Sequence, residues 1–212
     1  MIRRIFIVRH GNTFAPGEAA RRIGARTDLP LVESGRAQAI ALGSALATAG
    51  VRPVAILAGP LSRAAETAEL IAQAFPAPPP VESAPWLREI DYGCDEGKAE
   101  PLVMARVGEA AMAAWNASGK PPPGWHVDRA GAISARQSYF MAAAPGDTIC
   151  VTSNGIARFA LLALPTPARA AGEGLTLRTG AASLIEAGND GPPRLVFWNR
   201  RPEDLGAGFP EF

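Results

Sequence analysis

Short apolar runs separated by turn residues predict a β-sheet. The run at 5–8 has four large apolar residues in succession, which is typical of a strand covered on both faces. Strands are predicted at residues 5–8, 54–57, from Val81 at an edge of the sheet, 148–152, 182–186 and 195–198, with a hairpin turn at 188–191.

Longer segments between these runs have a helical period. From 34 to 49 apolar residues recur every three to four positions, with Ser34 as the predicted N-cap and Gly50 as the terminator. Two further helices are predicted, one from the turn at 59–60 to about Phe75 and one from 153–155 to about 164. Alternating strands and helices indicate an α/β protein.

An alanine-rich stretch interrupts this alternation. Between Tyr92 and about residue 144, helical segments are broken by the proline-rich residues 120–125. We predict that this stretch is a helical cap over the crevice of a single domain spanning 1–212. The predicted fold is three-layer α/β/α, with a mostly parallel central sheet, helices on both faces and the inserted helical cap.

The composition is that of one globular domain with balanced charge. The 212 residues include 21 Lys plus Arg and 20 Asp plus Glu, so no excess of positive charge indicates binding to nucleic acid or to an anionic membrane. An anionic substrate would need a local cluster of cations. Cys94 and Cys150 have no metal-ligand spacing, and neither a signal peptide nor a membrane-spanning stretch is recognisable, which predicts a cytoplasmic protein.

The first predicted strand ends in a polar motif. Arg9 and His10 follow the apolar run directly, and Gly11 allows a sharp turn after them. The carboxyl ends of strands form the ligand crevice of open α/β sheets, so these side chains are predicted to lie there. Arg63 is predicted in the first turn of the second helix, where free amides and the helix dipole favour an anion. The plain alternatives are a surface turn and an ordinary exposed arginine.

Three segments resemble those of a known family. They are 9–13 (RHGNT), 59–68 (GPLSRAAETA) and 87–93 (LREIDYG). In this order they resemble the histidine phosphatase superfamily, which includes phosphoglycerate-mutase-like enzymes and many small phosphatases. The resemblance covers most of the chain and implies the fold of that family.

The resemblance implies a reaction through a phosphohistidine. His10 matches the histidine that attacks phosphorus, and a neutral imidazole is a competent nucleophile near neutral pH. Arg9 and Arg63 would bind phosphoryl oxygens through paired hydrogen bonds. Asn12 and Gly155 are further predicted phosphate contacts. Because phosphoryl transfer needs little beyond positioning and charge stabilisation, no metal or other cofactor is predicted.

A proton donor is also needed for the leaving group, and a base for hydrolysis of the phosphoenzyme. Glu89 matches the acid position of the family, and one carboxyl group could serve both steps. An ion pair with Arg88 or Arg63 is its alternative role. The other nearby carboxylates that could take its place are Asp91, Asp95 and Glu96.

One position departs from the family pattern. Where a second histidine usually completes the phosphate pocket, this chain has Asn154, and the only other histidine, His126, lies in the proline-rich part of the cap. An amide still donates a hydrogen bond, at about 0.5 to 1.5 kcal/mol against about 1.5 to 3 for a charged contact. At about 1.4 kcal/mol per factor of ten, the sequence predicts an enzyme slowed roughly ten- to thirtyfold.

Other chemistries fit the sequence less well. Neither GxGxxG after a strand nor GxxxxGK(S/T) occurs, and the spacing of Cys150 and Arg158 is too long for a cysteine phosphatase loop. The four tryptophans, Trp86, Trp115, Trp125 and Trp198, are predicted to pack in the core or cap. The sequence thus predicts a metal-independent phosphomonoesterase acting on a small phosphorylated metabolite. The alternatives are a protein that binds a phosphorylated ligand without turnover, which Asn154 favours, and a mutase-like phosphotransferase, which it disfavours.

Overall fold

The computed structural model of the protein describes residues 2–142, 145–165, 174–188 and 191–205. Within these residues the strands form one six-stranded sheet in the order β3-β2-β4-β1-β5-β6. The strands are β1 (Arg3–Arg9), β2 (Pro53–Ala58), β3 (Val81–Ser83), β4 (Gly146–Thr152), β5 (Ala182–Ala187) and β6 (Arg194–Arg200). Each predicted strand is present, and β3 is an edge strand as predicted.

The sheet is mixed but mostly parallel. The pairs β2–β3, β2–β4 and β1–β4 are parallel, whereas β5 is antiparallel to both β1 and β6. Five strands therefore run in one direction and only β5 runs against them. This arrangement confirms the predicted sheet and brings the carboxyl ends of β1 and β4 to the same edge.

The helices cover both faces of the sheet. They are α1 (Glu33–Thr48), α2 (Ser62–Ala72), α3 (Glu100–Val107), α4 (Glu109–Ser118), α5 (Arg129–Ala142) and α6 (Asn154–Leu162). Successive side chains of β1 point to opposite faces, so Phe6 and Val8 join the core formed with α1 and α2. Ile5 and Ile7 join the core formed with α4, α5 and α6. These two cores confirm the three-layer arrangement.

Two predicted helix boundaries are wrong. Helix α1 begins at Glu33 with Val32 as its N-cap residue, so Ser34 lies inside the helix. The hydroxyl oxygen of Ser34 accepts a hydrogen bond from Asn12 Nδ2 at 3.3 Å. Helix α2 ends at Ala72, although its apolar period continues to the buried Phe75. The backbone beyond Ala72 tightens into bonds between residues three apart, which ends the α-helix.

The last helix of the inserted stretch, α5, packs against α6 as part of the layer on that face of the sheet. Trp115 and Trp125 are buried in the same core, with 5.3 Å between their ring centroids, in agreement with the predicted packing role. Residues 143–144, at the end of the predicted insertion, and 189–190, in the predicted hairpin turn, lie outside the described residues. None of the helices in the described ranges is both long and apolar enough to cross a bilayer.

The loop after β1 rests directly on the start of α1. A Cβ atom at Gly11 would lie 2.2 Å from the carbonyl oxygen of Gly35, and one at Gly35 would lie 2.2 Å from that of Asn12. Only glycine permits this approach of two backbones. The contact fixes the position of the residues that follow β1 relative to the start of α1.

Candidate active site

A cavity of about 1050 Å³ opens at the carboxyl ends of β1 and β4. Arg9, at the end of β1, lies opposite Thr152, at the end of β4, and the N–H of His10 donates to the Thr152 carbonyl at 2.9 Å. Five predicted site residues line the cavity: Arg9, His10, Asn12, Glu89 and Asn154. Arg63 and Gly155 lie behind its wall.

His10 is held as a neutral ring with one free nitrogen. It is buried, and its Nδ1 is 2.7 Å from the Gly11 carbonyl oxygen, which can only accept, so Nδ1 carries the proton. Burial is the main cause that lowers the pKa of His10 well below 6.5, and the charges of Arg9 and Arg63 lower it further. Nε2 therefore has a lone pair, and it has no hydrogen-bond partner among the described residues. This is the state that a nucleophilic imidazole requires.

Arg9 and Asn154 are fixed by the same residue on the opposite wall. Nη1 of Arg9 donates to the Leu177 carbonyl at 2.9 Å, and the Leu177 N–H donates to Asn154 Oδ1 at 2.8 Å. The second contact orients the amide, so that Nδ2 is the group left to donate to a ligand. Nε of Arg9 is buried without a hydrogen-bond partner in the described residues. Arg9 and Asn154, which line the cavity with His10, thus each have a donor without a partner among the described residues.

Arg63 lies in the first turn of α2, as predicted, but it does not line the cavity. It is fully buried and donates to the carbonyls of Thr27 at 2.7 Å and Gly24 at 3.2 Å. Its Nε is buried and has no partner within the described chain. Its charge reaches His10, whose pKa it lowers. The predicted alternative of an ordinary exposed arginine is therefore wrong.

Glu89 accepts two backbone hydrogen bonds. Its Oε1 accepts from the N–H of Ile90 at 2.9 Å and its Oε2 from that of Gly155 at 3.1 Å. The hydroxyl of Tyr92 is 3.4 Å from Oε2, and burial, with Glu89 nearby, raises the pKa of Tyr92 so that it stays a neutral donor. A Cβ at position 155 would lie 2.3 Å from Oε1, so any larger residue there would displace the Glu89 carboxylate.

Two predicted phosphate contacts have other partners in the structure. The N–H of Gly155 is bonded to the Glu89 side chain and is not free to contact a phosphate. The Asn12 side chain donates to Ser34 and accepts from the Thr179 hydroxyl at 2.6 Å. Asn12 therefore joins α1 to the opposite wall, and one hydrogen of Nδ2 remains available to a ligand.

The competing carboxylates are committed elsewhere. Asp91 and Glu96 pair with Arg26 at 3.1 Å and 3.5 Å, while Asp95 is bonded to Arg106 and Trp125. The predicted alternative partner of Glu89, Arg88, donates instead to the carbonyl of Ala25 at 2.8 Å. Of the four carboxylates considered, only Glu89 lines the cavity.

The remaining candidates also lie away from the cavity. Cys150 is buried within β4, and burial raises the pKa of its thiol to about 12. Arg158 packs over the Trp115 ring at 3.9 Å, so these two residues do not form a phosphate loop. His126 has a 73% exposed side chain and pairs with Asp91 at 3.2 Å.

One known protein family matches nearly the whole chain. Residues 5–201 match the family model described as the Histidine phosphatase superfamily (branch 1). The chain belongs to this superfamily. The match extends from β1 through β6 and includes every residue that lines the cavity except Pro202 and Glu203.

Relatives of this histidine phosphatase superfamily member include mutase-like proteins and phosphatases. "Probable phosphoglycerate mutase GpmB" of Proteus mirabilis (strain HI4320) is 38% identical over 90 residues, which are 42% of this chain and 39% of that protein. The chain thus matches about two fifths of the length of that relative. A structure of mycobacterial glucosyl-3-phosphoglycerate phosphatase with VO3 has a TM-score of 0.73 at 24% identity, covering 92% of this chain and 98% of the other. The protein TTHB049 from Thermus thermophilus has a TM-score of 0.65 at 28% identity, covering 93% and 99%. These structures confirm the α/β fold.

Sequence analysis missed two residues of this histidine phosphatase fold that support the site. Tyr92 contacts Glu89, and Arg22 lies over the rings of Tyr92 at 5.0 Å and Trp125 at 4.6 Å while it pairs with Glu100. Tyr92 follows Glu89 by three positions in a segment already singled out, so spacing gave a signal. Arg22 lies in an irregular loop, where no periodicity marks it.

The neutral His10 predicts a pH-dependent stability. The unfolded chain protonates this ring below about pH 6.5, whereas the folded protein keeps it neutral, so the unfolded state binds more protons and the free energy of unfolding falls as the pH decreases. Between about pH 7.5 and about pH 5.5, the free energy of unfolding of the natural protein should fall by about 1.4 kcal/mol more than that of a His10→Gln variant. Urea unfolding of both proteins in phosphate-free buffer at about pH 7.5 and about pH 5.5 measures it. An identical pH dependence in both would show that His10 is not held neutral.

Proposed function

We propose that the protein is a phosphomonoesterase that works through a phosphohistidine at His10 and needs no metal. The observation that carries this proposal is the free Nε2 of a buried neutral histidine in one cavity with Arg9, Asn154 and Glu89. The match of residues 5–201 to the histidine phosphatase superfamily supports a phosphatase-type enzyme. Three N–H donors of the cavity suit the oxygens of a phosphoryl group: the buried Nε of Arg9 and the side-chain Nδ2 groups of Asn154 and Asn12.

In the first step, the lone pair on Nε2 of His10 forms a bond to phosphorus. The bond from phosphorus to the ester oxygen breaks, and the carboxyl form of Glu89 gives its proton to that oxygen. Arg9 and the Asn154 amide bind the phosphoryl oxygens, and the charge of the buried Arg63 stabilises them from behind the wall. The alcohol leaves and a phosphohistidine remains.

In the second step, water attacks the same phosphorus atom. The carboxylate of Glu89 takes the proton of the water, the bond from phosphorus to Nε2 breaks, and inorganic phosphate leaves. Because Glu89 is fixed by two backbone N–H groups, one side chain can serve as acid and then as base without moving.

The proposal is tested with purified protein and 4-nitrophenyl phosphate in excess chelator. We expect continuous release of nitrophenol and, after rapid quenching with labelled substrate, a protein-bound phosphoryl group that is labile to acid and stable to base. Turnover without a trapped label at His10 would contradict the mechanism. The absence of both, with retained binding of inorganic phosphate, would identify the protein as a binder of phosphorylated ligands, the role that Asn154 favours.

Asn154→His tests the effect of the departure from the family pattern. We expect kcat/KM to rise about tenfold, because a protonated ring adds a charged contact to the phosphoryl group. The gain should lie in the lower part of the predicted range, since a protonated ring cannot accept the Leu177 hydrogen bond that Asn154 now accepts. Asn154→Asp is the matched control, since it keeps that acceptor but loses the donor, and we expect it to be slower than the natural protein. An unchanged or slower Asn154→His would show that charge is not what the pocket lacks.

A further inference from the structure

The cavity has more room and more charge than a phosphoryl group uses. Its volume of about 1050 Å³ is at the upper end of the range for small-molecule sites. Four arginines other than Arg9 line it, namely Arg21, Arg22, Arg178 and Arg201. These arginines lie on the loop after β1 and on the segments before β5 and after β6, where the part of a substrate beyond its phosphate would lie.

Three of these four arginines have carboxylate partners. Arg22 pairs with Glu100, Arg21 with Glu18 at 3.7 Å, and Arg201 with Glu203 at 3.9 Å. The guanidinium of Arg178 is different: it is exposed in the cavity wall and has neither an ion pair nor a hydrogen bond within the described residues. Of the four arginines, Arg178 is therefore the one whose charge is available to a ligand.

The backbone that carries Arg178 is firmly held. We call residues 176–180 the wall segment. Leu177 bonds to Arg9 and Asn154, and Thr179 bonds to Asn12. The N–H of Gly180 donates to the carbonyls of Arg9 and His10. These contacts join the wall segment directly to His10 and its neighbours.

Strand β6 supports the wall segment from behind. The N–H of Arg178 donates to Asn199 Oδ1 at 2.8 Å, and Trp198 Nε1 donates to the Thr176 carbonyl at 3.0 Å. Asn199 has φ of 63°, a left-handed conformation that asparagine adopts more readily than most other residues with a side chain. The hydrogen bond to Asn199 fixes the backbone at Arg178, so that its side chain starts from a defined point.

We propose that Arg178 is a specificity-determining residue that binds a carboxylate on the substrate, so that the preferred substrates are phosphomonoesters of carboxylic acids. One guanidinium matches one carboxylate in charge and in its paired hydrogen bonds, whereas a second phosphate would call for further cations, which here are paired with Glu18, Glu100 and Glu203. This inference rests on the proposed function for its substrate class.

The test compares two probes of nearly the same shape, carboxyphenyl phosphate and carbamoylphenyl phosphate, with the substituent at the 3- or 4-position. The first carries a carboxylate and the second a neutral amide, and the Arg178→Gln variant corrects for their difference as leaving groups. We expect the natural protein to prefer the carboxylate about tenfold in kcat/KM, as expected for a charged against a neutral hydrogen bond, and Arg178→Gln to lose that preference. Arg200→Gln is the matched control. It removes the same charge from a residue that lies over the Phe197 ring and is not among those lining the cavity, and it should keep the natural ratio.

The outcomes separate this inference from the proposed function. The role of Arg178 would be overturned, even if every probe is hydrolysed, by either of two results. The first is a ratio of kcat/KM near one in the natural protein, for carboxyl over carbamoyl probes, with the substituent at the 3-position and at the 4-position. The second is a carboxylate preference that survives in Arg178→Gln. If no probe is hydrolysed, the proposed function fails, and Arg178 is then judged by calorimetry with the corresponding non-hydrolysable phosphonates. Equal dissociation constants for the carboxyl and carbamoyl phosphonates would again overturn the inference.

Discussion

Replacing His10 with alanine should lower kcat/KM for an aryl phosphate by about 10⁴ or more, the scale reached when a covalent nucleophile is deleted. The ring of His10 is the only imidazole in the cavity among the described residues, and no other ring can replace it. The trapped phosphoryl label should disappear as well. Steady-state kinetics and acid-labile labelling measure the two losses independently.

His126→Ala is the matched control, since the chain has only two histidines. His126 is mostly exposed and pairs with Asp91 outside the cavity, so its removal should leave turnover and labelling at natural levels. His10→Gln, with thermal unfolding of all three variants, separates lost chemistry from lost folding in the buried site. Equal turnover in the natural protein and a folded His10 variant would rule out the mechanism.

Glu89→Gln should slow an alkyl phosphate by about 10² to 10⁴ in kcat/KM, the range for loss of a general acid. The reason is that an alkoxide leaves poorly without a proton. 4-Nitrophenolate leaves well unprotonated, so kcat/KM for 4-nitrophenyl phosphate should fall far less. Its kcat should still fall, because hydrolysis of the phosphohistidine needs the carboxylate as base. Parallel kinetics on the two substrates measure this difference.

Tyr92→Phe is the control for Glu89, since it removes the hydroxyl 3.4 Å from Oε2 and keeps the ring. A hydrogen bond at that distance is weak, so we expect a loss of about threefold or less. If Tyr92→Phe showed the same dependence on the leaving group as Glu89→Gln, the proton would have to come from the phenol. Equal losses for both substrates in Glu89→Gln would argue that the carboxylate only positions its neighbours.

The strands could be predicted from sequence because their pattern of apolar residues depends only on which faces of the sheet are covered. Residues 5–8 are apolar without interruption since both faces of β1 are covered, by α1 and α2 on one side and by α4 to α6 on the other. The ends of helices depend on longer-range contacts. Ser34 had the local chemistry of an N-cap, but its hydroxyl bonds to Asn12, which is far away along the chain, and local propensity could not show this.

The site divides in the same way. His10 and Arg9 could be located because they end a recognisable strand, and Glu89 because its segment resembles a known family. The carbonyl partners of Arg63 at Gly24 and Thr27 could not be predicted, since the loop that supplies them has no period. Arg178 lies in an equally irregular segment, and its importance follows only from the absence of a partner among the described residues.

The backbone contact between Gly11 and Gly35 has a consequence for how such a site can change. Neither position has space for even a methyl group, so a substitution at Gly11 or Gly35 would separate β1 from α1 and displace His10. Changes of substrate during evolution would then occur at other parts of the cavity wall. Arg178 and the loop after β1 can vary there while His10 keeps its position.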